Sequence, residues 1–569
     1  MADETSKSST AIIVIAIVAV VALVVGLLWL CGCLGQGTSA GKRGERVATI
    51  LAVNDIYRID GVGAEEIGGL HRLRTLRKDI EKKSGNVLLL HAGDFLSPSL
   101  ESRVFKGEQM IDAMNNLDGD PNKFDARMFV AFGNHEFDDS NCLSAPASLN
   151  ARIDESQFTW LNANLDFANC ASMKDVMAHK NVKRTAIVEL GGIKFGLFGI
   201  GLTPDIRNTK KYPSFGELYE SARAAIKELR AKKADVVVAL THLNREDDQY
   251  LIDALSGSGL DLVVGGHDHT WMELKDNAGT VRGYKADSDA KSAWRIEVRL
   301  PAKGGATFAG ERMVLNDAIA RDPALDALAK NWSARAEAKF CAERKKTGRE
   351  PNGHKCLQEE AGTAQFPVRL EEEDNRTTET EFGRWIARVV RDTMNADIAI
   401  VHAGILGLNT NLDSGAKLRV EQIVDIFRYD DPVAVRSAPA SVVCAAIRHG
   451  LGRPGTGAWP HLYGVRAEGV PKTPKEAQAQ KKWNGEITFE NADIDCTKNS
   501  PIKVAGAPYL LCGGDDYPVM AADDEKGANC IDTLKSKPIR DPASTPPQPI
   551  SAIAEKAIAA AGKLLVLPP

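Results

Sequence analysis

Between Val47 and Gly265 short apolar runs alternate with longer amphipathic stretches, and no other feature of the 569-residue chain restricts its fold as strongly. The runs Val47–Val53, Val87–His91, Met128–Phe132, Ile193–Ile200, Asp235–Thr241 and Leu260–Gly265 have the length and composition of buried strands. The stretches Gly69–Lys82 and Glu217–Ala231 read as amphipathic helices. Buried strands between helices predict a layered α/β domain, here over 46–305. A charged, helix-prone segment follows at 306–362, broken at Thr347–Gly353, and reads as a helical linker. A second, smaller α/β unit is expected over 363–540, with a helix at Thr380–Met394 and a strand at Asp397–His402. Residues 541–569 read as a tail that opens on a Pro-rich stretch and closes on a surface helix within the Ala-rich Ile550–Leu565.

The N-terminus is of another kind. Residues 1–10 form a short tail, and Ala11 to Leu30 carry no charged side chain. Twenty helical residues span about 30 Å, the thickness of a bilayer's hydrocarbon core. A cleaved signal peptide has a shorter apolar region, of about 7–15 residues. A single-pass signal anchor is therefore expected at 11–35, followed by a Gly/Ser/Thr-rich tether at 36–45. Leu30-Cys31-Gly32-Cys33 also looks like a bacterial lipobox, but the preceding residues are too acidic for one. Sidedness draws on two opposed signals. Lys42, Arg43 and Arg46 beyond the span favour a cytoplasmic body. The eight cysteines further on, none in a CxxC pair, favour disulfides in an oxidising compartment, with Cys341–Cys356 and Cys496–Cys530 as close pairs. The cysteines place the main body outside the cytoplasm. A net charge of -5 provides no electrostatic basis for binding a nucleic acid polymer, and oligomeric state is not legible.

Five polar segments each follow directly on an apolar run: Asn54-Asp55-Ile56-Tyr57, Ala92-Gly93-Asp94, Gly133-Asn134-His135-Glu136, Leu240-Thr241-His242 and Gly265-Gly266-His267-Asp268-His269. In an α/β sheet that places them together at the carboxyl edge, where ligand sites form. Singly, an Asp or His at a strand end is more often a helix cap or a satisfied polar group. The ordered set of five is far more specific, because packing does not require a polar residue after every strand. Carboxylate, amide and imidazole groups converging there suit two divalent cations of intermediate hardness.

On these motifs the chain resembles the calcineurin-like metallophosphoesterases, and within them the 5′-nucleotidase family. The resemblance implies a four-layer α/β/β/α catalytic domain and two divalent metal ions (Zn, Mn, Fe or Mg). One metal would be held by Asp55, Asp94 and His269, the other by Asp94, Asn134, His242 and His267. His135 and Asp138 match the family's catalytic dyad, which stabilises charge while a metal-activated hydroxide attacks phosphorus. One position departs from the pattern: the first motif is Asp-x-His in the family, and Tyr57 stands at its third position. Tyr57 either ligates as a phenolate, favouring a harder ion such as ferric iron, or packs under the site as a hydrogen-bond donor.

The second half resembles the family's substrate-binding domain. Ala396–Ile405, Tyr429-Asp430-Asp431-Pro432 and Cys512–Tyr517 look like its three conserved loops. By that resemblance Tyr429 and Tyr517 clamp a nucleobase, and Gly404 and Asp515 line the substrate pocket. Leu406 replaces an arginine expected to grip phosphate or ribose, with Arg384, Arg391, Arg419 and Arg428 nearby in sequence. Asn331-Trp332-Ser333 and Asn375-Arg376-Thr377 match glycan acceptors. The expected reaction is dephosphorylation of nucleoside 5′-phosphates. Two alternatives stand beside it: a cyclic-nucleotide or nucleotide-sugar phosphodiesterase on the same metals, and a surface binding protein with impaired catalysis, which Tyr57 and Leu406 favour.

Overall fold

The computed structural model describes residues 44–62, 67–85, 87–138, 148–167, 175–202, 215–346, 356–408, 410–480, 483–491, 494–497, 500–520, 530, 549–562 and 564–565. The expected anchor and tether lie outside these residues. Among the described residues no helix is long and apolar enough to cross a membrane.

The first domain contains β1 (Arg46–Val53), β2 (Val87–His91), β3 (Met128–Ala131), β4 (Thr159–Leu161), β5 (Val182–Lys183), β6 (Thr185–Leu190), β7 (Ile193–Gly201), β8 (Val236–His242), β9 (Leu262–Gly265), β10 (Met272–Lys275), β11 (Val281–Lys285), β12 (Ser292–Leu300) and β13 (Thr307–Val314). One sheet runs β13-β12-β1-β2-β3-β4-β5 and the other β10-β11-β9-β8-β7-β6. β1, β2 and β3 are parallel neighbours, as are β7, β8 and β9.

The alternation of side chains along each strand builds the layers. Ile50 and Ala52 of β1 face inward, with Leu88, Leu90, Leu197, Val238 and Leu240, and fill the space between the sheets. Leu51 and Val53 face the other way and pack with Leu70, Leu73 and Ile80 of the helix Leu70–Ser84. Val237, Ala239 and Val263 cover the outer face of the second sheet with Ala222, Ile226 and Leu229 of the helix Phe215–Ala231. The result is the expected α/β/β/α stack.

The segment expected as a linker contains the helix Pro323–Lys346, whose Leu325, Ala329, Trp332 and Ala336 are buried in the first domain's outer core. The second domain is built on a four-stranded sheet ordered Ala434–Pro439, Pro501–Gly506, Ile398–His402, Pro460–Tyr463. The helix Glu381–Thr393 is capped by Thr380, whose hydroxyl accepts from Gly383 N at 3.1 Å.

Two expectations are overturned. The end of the chain is no surface tail: Ile550, Ile553, Ala554 and Ile558 of the helix Ile550–Ala560 are buried in the second domain's core, their spacing matching one helical face. Leu564–Leu565 then pairs with Glu360–Ala364. Cys341 does bond Cys356, but Cys496 bonds Cys444 and Cys530 bonds Cys512. Sequence spacing misled there, because Cys444 lies on the helix Ala440–Leu451 that folding brings against Cys496, 52 residues away. Of the two glycan sequons, Asn375 is fully buried, donating to Ala403 O and Leu406 O, so it is closed to modification.

Candidate active site

β1, β2, β3, β8 and β9 all end at the same edge of the sandwich, and their following residues converge there. Four of them sit in the left-handed region: Asp55 (φ 53°), Asp94 (61°), His267 (82°) and His269 (58°). Each such residue costs about 1–3 kcal/mol, and such strain collects where function requires a side chain to be aimed. Gly133 permits the closest approach, since a Cβ there would lie 2.1 Å from Asp94 Oδ1.

The side chains, all buried except the half-buried His267, form two groups that share Asp94: Asp94 with His242 and His267, and Asp55 with Asp94 and His269. Within each group the potential ligand atoms lie within 4.8 Å of one another. In the first group, His242 Nε2 is 3.0 Å from Asp94 Oδ2 and His267 Nδ1 is 3.1 Å from Asn134 Oδ1. The other nitrogen of His242 meets Ala92 O at 2.7 Å, which orients the ring. In the second group, His269 Nε2 is 3.1 Å from Asp55 Oδ1. The Tyr57 hydroxyl lies at this group, 2.9 Å from His269 Nε2 and 3.3 Å from both Asp55 Oδ1 and Asp94 Oδ2.

Burial pushes the Asp55 carboxyl up, but the His269 and His242 imidazoles outweigh it and hold Asp55 well below the usual carboxylate range. Burial likewise opposes charge on His242, yet Asp94 and Asp55 carry it up to about 10. A buried cluster of paired carboxylates and imidazoles, with oxygen and nitrogen atoms aimed at common points, is the donor set that two divalent cations of intermediate hardness require. The residues fit the metals that the motifs imply.

His135 stands beside both groups. Its Nδ1 lies 3.0 Å from Asp138 Oδ2, and its backbone N–H donates to Asp94 Oδ1 at 2.8 Å. Burial lowers its basicity, but Asp138 and Asp94 more than reverse this and raise it to about 9. In the metal-free site the imidazolium is thus the form favoured at neutral pH, and it is lost as pH rises. Asp138→Asn, which removes the largest support for that charge, is expected to move the alkaline limb of the kcat profile to lower pH. Profiles of both proteins check this, and an unmoved limb would contradict it.

Two positioning groups escaped the sequence reading. Glu136, 4% exposed, accepts the backbone N–H groups of Asp94 (2.9 Å), Phe95 (2.8 Å) and Gly133 (2.6 Å), so it ties two of the strand-end loops together. Its place next to His135 in the third motif was a usable signal. Lys285, 1% exposed, donates to Leu243 O at 2.8 Å and Gly266 O at 3.0 Å and pairs with Asp248 at 2.8 Å and with Asp268. It thereby clamps the loop carrying His267 and His269 to the end of β8. Only tertiary structure reveals this, since its partners are distant in sequence. Lys285→Met leaves two carboxylates facing each other without their cation and is expected to cost about 3–5 kcal/mol of stability. Denaturant titration measures it, and a loss below 1 kcal/mol, on the order of a surface pair, would show the clamp to be dispensable.

The second domain closes over this edge. Tyr429 brings its hydroxyl to 3.1 Å from His135 Nδ1, so it stands beside the dyad and not at a distant base. The expectation for Tyr517 is not met. Its ring is 3% exposed in the domain core and its hydroxyl donates to Ala458 O. Instead the half-buried Tyr509 donates to Asp515 Oδ1 at 2.8 Å, with the His402 ring 5.8 Å away. His402 Nδ1 in turn is 3.3 Å from Gly457 O, and Gly457 O accepts from Gly404 N at 2.9 Å. Gly404, Asp515, His402 and Tyr509 thus form one cluster, of which the sequence reading missed the last two. Of the candidate arginines, Arg428 lies near the group of Asp55, Asp94 and His269, where its guanidinium pairs with Glu372 at 2.9 Å. Its backbone lies beside Leu406, and its guanidinium sits 5.8 Å from the Tyr57 ring centroid.

Four layers, a carboxylate shared between two ligand groups and a second domain closing over them define a two-domain metallophosphoesterase. Residues 48–271 match the model of the calcineurin-like phosphoesterases, and residues 360–522 match that of the 5′-nucleotidase C-terminal domain. A trifunctional nucleotide phosphoesterase of Bacillus subtilis is 23% identical over 507 residues, covering 83% of this chain and 32% of that protein. A snake venom 5′-nucleotidase of Crotalus adamanteus is 28% identical over 263 residues, 44% of this chain and 40% of that protein. The chain therefore spans less than half the length of these relatives. The crystal structure of a 5′-nucleotidase precursor from Thermus thermophilus aligns over 86% of this chain and 96% of that one, with a TM-score of 0.67 at 20% identity, a likeness of fold. The chain belongs to the calcineurin-like phosphoesterases, in the branch that carries a 5′-nucleotidase C-terminal domain.

Proposed function

We propose that the chain hydrolyses nucleoside 5′-monophosphates to nucleoside and phosphate. The observation that carries this reading is the pair of buried ligand groups sharing Asp94, with His135 at their rim. Asp55, Tyr57, Asp94 and His269 would hold one divalent ion, and Asp94, Asn134, His242 and His267 the other. The ions supply positive charge to the phosphoryl oxygens and a water acidic enough to act as hydroxide near neutral pH. His135, charged and oriented by Asp138, donates to the phosphoryl or leaving oxygen as negative charge develops there. A Tyr57 phenolate would favour a ferric ion in the first position. Visible absorption on loading iron, absent in Tyr57→Phe, tests that choice.

For the base, Tyr509 takes the place of Tyr517 as the aromatic surface, with Asp515 and Gly404 beside it. Tyr509→Ala is expected to raise KM for a nucleotide several-fold and to leave hydrolysis of a small aryl phosphate nearly unchanged, since base stacking is worth about 1–3 kcal/mol per contact. Tyr429→Ala is expected to impair both substrates because it touches His135. Tyr517→Ala should lower thermal stability instead. A phosphate-release panel of mono-, di- and cyclic nucleotides with a non-nucleotide ester tests the reading. Preference for cyclic nucleotides would replace it with a phosphodiesterase, and hydrolysis of none with a binding protein. The three disulfides among the described residues support placing the domains in an oxidising, extracytoplasmic compartment, with Ala11–Leu30 as the membrane anchor.

A further inference from the structure

The second domain does more than cover the site. Glu372, in the short helix Glu372–Asn375, reaches across the domain boundary and places Oε2 at 2.6 Å from Nδ1 of His269. Both side chains are buried, Glu372 at 9% exposure and His269 at 7%. The other oxygen of Glu372 is held by Arg376 at 3.0 Å and by Arg428 at 2.9 Å. The carboxylate is therefore fixed from behind by two guanidinium groups and lies in ion-pair contact with the imidazole at the front. Asp55 meets the opposite nitrogen of the same ring, Nε2.

A histidine that ligates a metal through Nε2 needs its Nδ1 proton held, because this sets the tautomer and the ring plane and raises the basicity of the ligating nitrogen. His242 obtains that support within its own domain, from Ala92 O. For His269 the group in that position is a carboxylate of the other domain. We propose that Glu372 is a positioning residue for the metal site formed by Asp55, Asp94 and His269, and that it makes ion retention there depend on closure of the second domain. The proposal rests on the two-metal reading. It distinguishes the two ion positions: the one containing His242 and His267 is complete within the first domain, whereas the one containing His269 is completed only across the interface. A closed conformation and a filled first position then stabilise each other, since whatever favours one favours the other equally.

The test is zinc binding to the demetallated full chain, titrated against a chromophoric chelator, for wild type, Glu372→Gln and Glu371→Gln. Glu371 forms a different contact across the same boundary, with Lys291 at 3.3 Å, so its variant reports on general loosening. Wild type is expected to bind two equivalents of zinc. Glu372→Gln should weaken one of the two steps about 10–100-fold, the usual cost of losing such a partner, and spare the other. Glu371→Gln should leave both steps unchanged. If Glu372→Gln lowers the melting temperature of the demetallated chain, Glu372→Asp reads the same step: it keeps the charge for Arg376 and Arg428 but withdraws it from His269. Two unchanged steps in the Glu372 variants overturn the proposal, as does equal weakening in Glu371→Gln. Wild type that takes up no zinc would overturn the two-metal reading and this inference with it.

Discussion

Exhaustive chelation followed by removal of the chelator will leave the chain unable to release phosphate from a nucleoside monophosphate, and an added divalent cation will restore the activity. The reason lies in the site's own charges. Asp55 and Asp94 are both held below the ordinary carboxylate range by neighbouring imidazoles, so both are ionised at neutral pH. A phosphate dianion brought among them is repelled, by about 4 kcal/mol for each pair of unit charges 4 Å apart at an effective dielectric constant of 20. His242 and His135, both protonated in the metal-free site, only balance these charges. Without cations the site therefore has no excess positive charge for the phosphoryl oxygens and no group that makes water acidic near neutral pH, so activity should fall below detection. The pH dependence of reloading follows from His242, which the two carboxylates keep protonated up to about 10 in the metal-free site. A cation must displace that proton, so its apparent affinity should strengthen as pH rises toward that value. Metal analysis beside the assay decides the matter: full activity with empty sites would refute the assignment of all seven ligands.

His135→Ala is expected to lower kcat about 10²–10⁴-fold, the range for losing a positioned proton donor in the transition state, with metal content little changed. The His135 side chain stands outside both ligand groups, with its ring Nε2 3.8 Å from Asp94 Oδ2. Its backbone N–H, which does bind Asp94, survives the substitution. The effect should therefore appear in turnover and not in metal occupancy. Loss of metal in proportion to activity would show His135 to be a ligand and the dyad to be misassigned.

Tyr57 and Tyr517 show how far motif positions carry. For Tyr57 the sequence left two environments open, a ligand or a ring packed beneath the site. Its position two residues past Asp55 fixes where its backbone lies, but only the placement of His269 and Asp94 puts its hydroxyl among three ligand atoms. Tyr517 was assigned by its place in a loop motif. Two neighbouring tyrosines compete for that role, and the choice follows from which ring the core buries. The packing that buries Tyr517 against Ala458 leaves Tyr509 half-exposed beside Asp515.

The sequence by itself determined the layers and the edge at which the site forms. Apolar runs and helical spacing are properties of neighbouring residues, so a run such as Val47–Val53 reads as a buried strand before any partner is known. The same locality explains why a polar residue after each apolar run marks the carboxyl edge of the sheets. Only the tertiary structure decided what depends on residues far apart in the chain. It paired Cys444 with Cys496 and Cys512 with Cys530. It drew the helix Ile550–Ala560 into the second core, set Lys285 under the histidine loop and brought Glu372 to His269. The chain carries no short-range signal for such contacts, because burying each element's apolar face fixes a rigid-body position for the whole element, and that position selects the partners of its polar side chains.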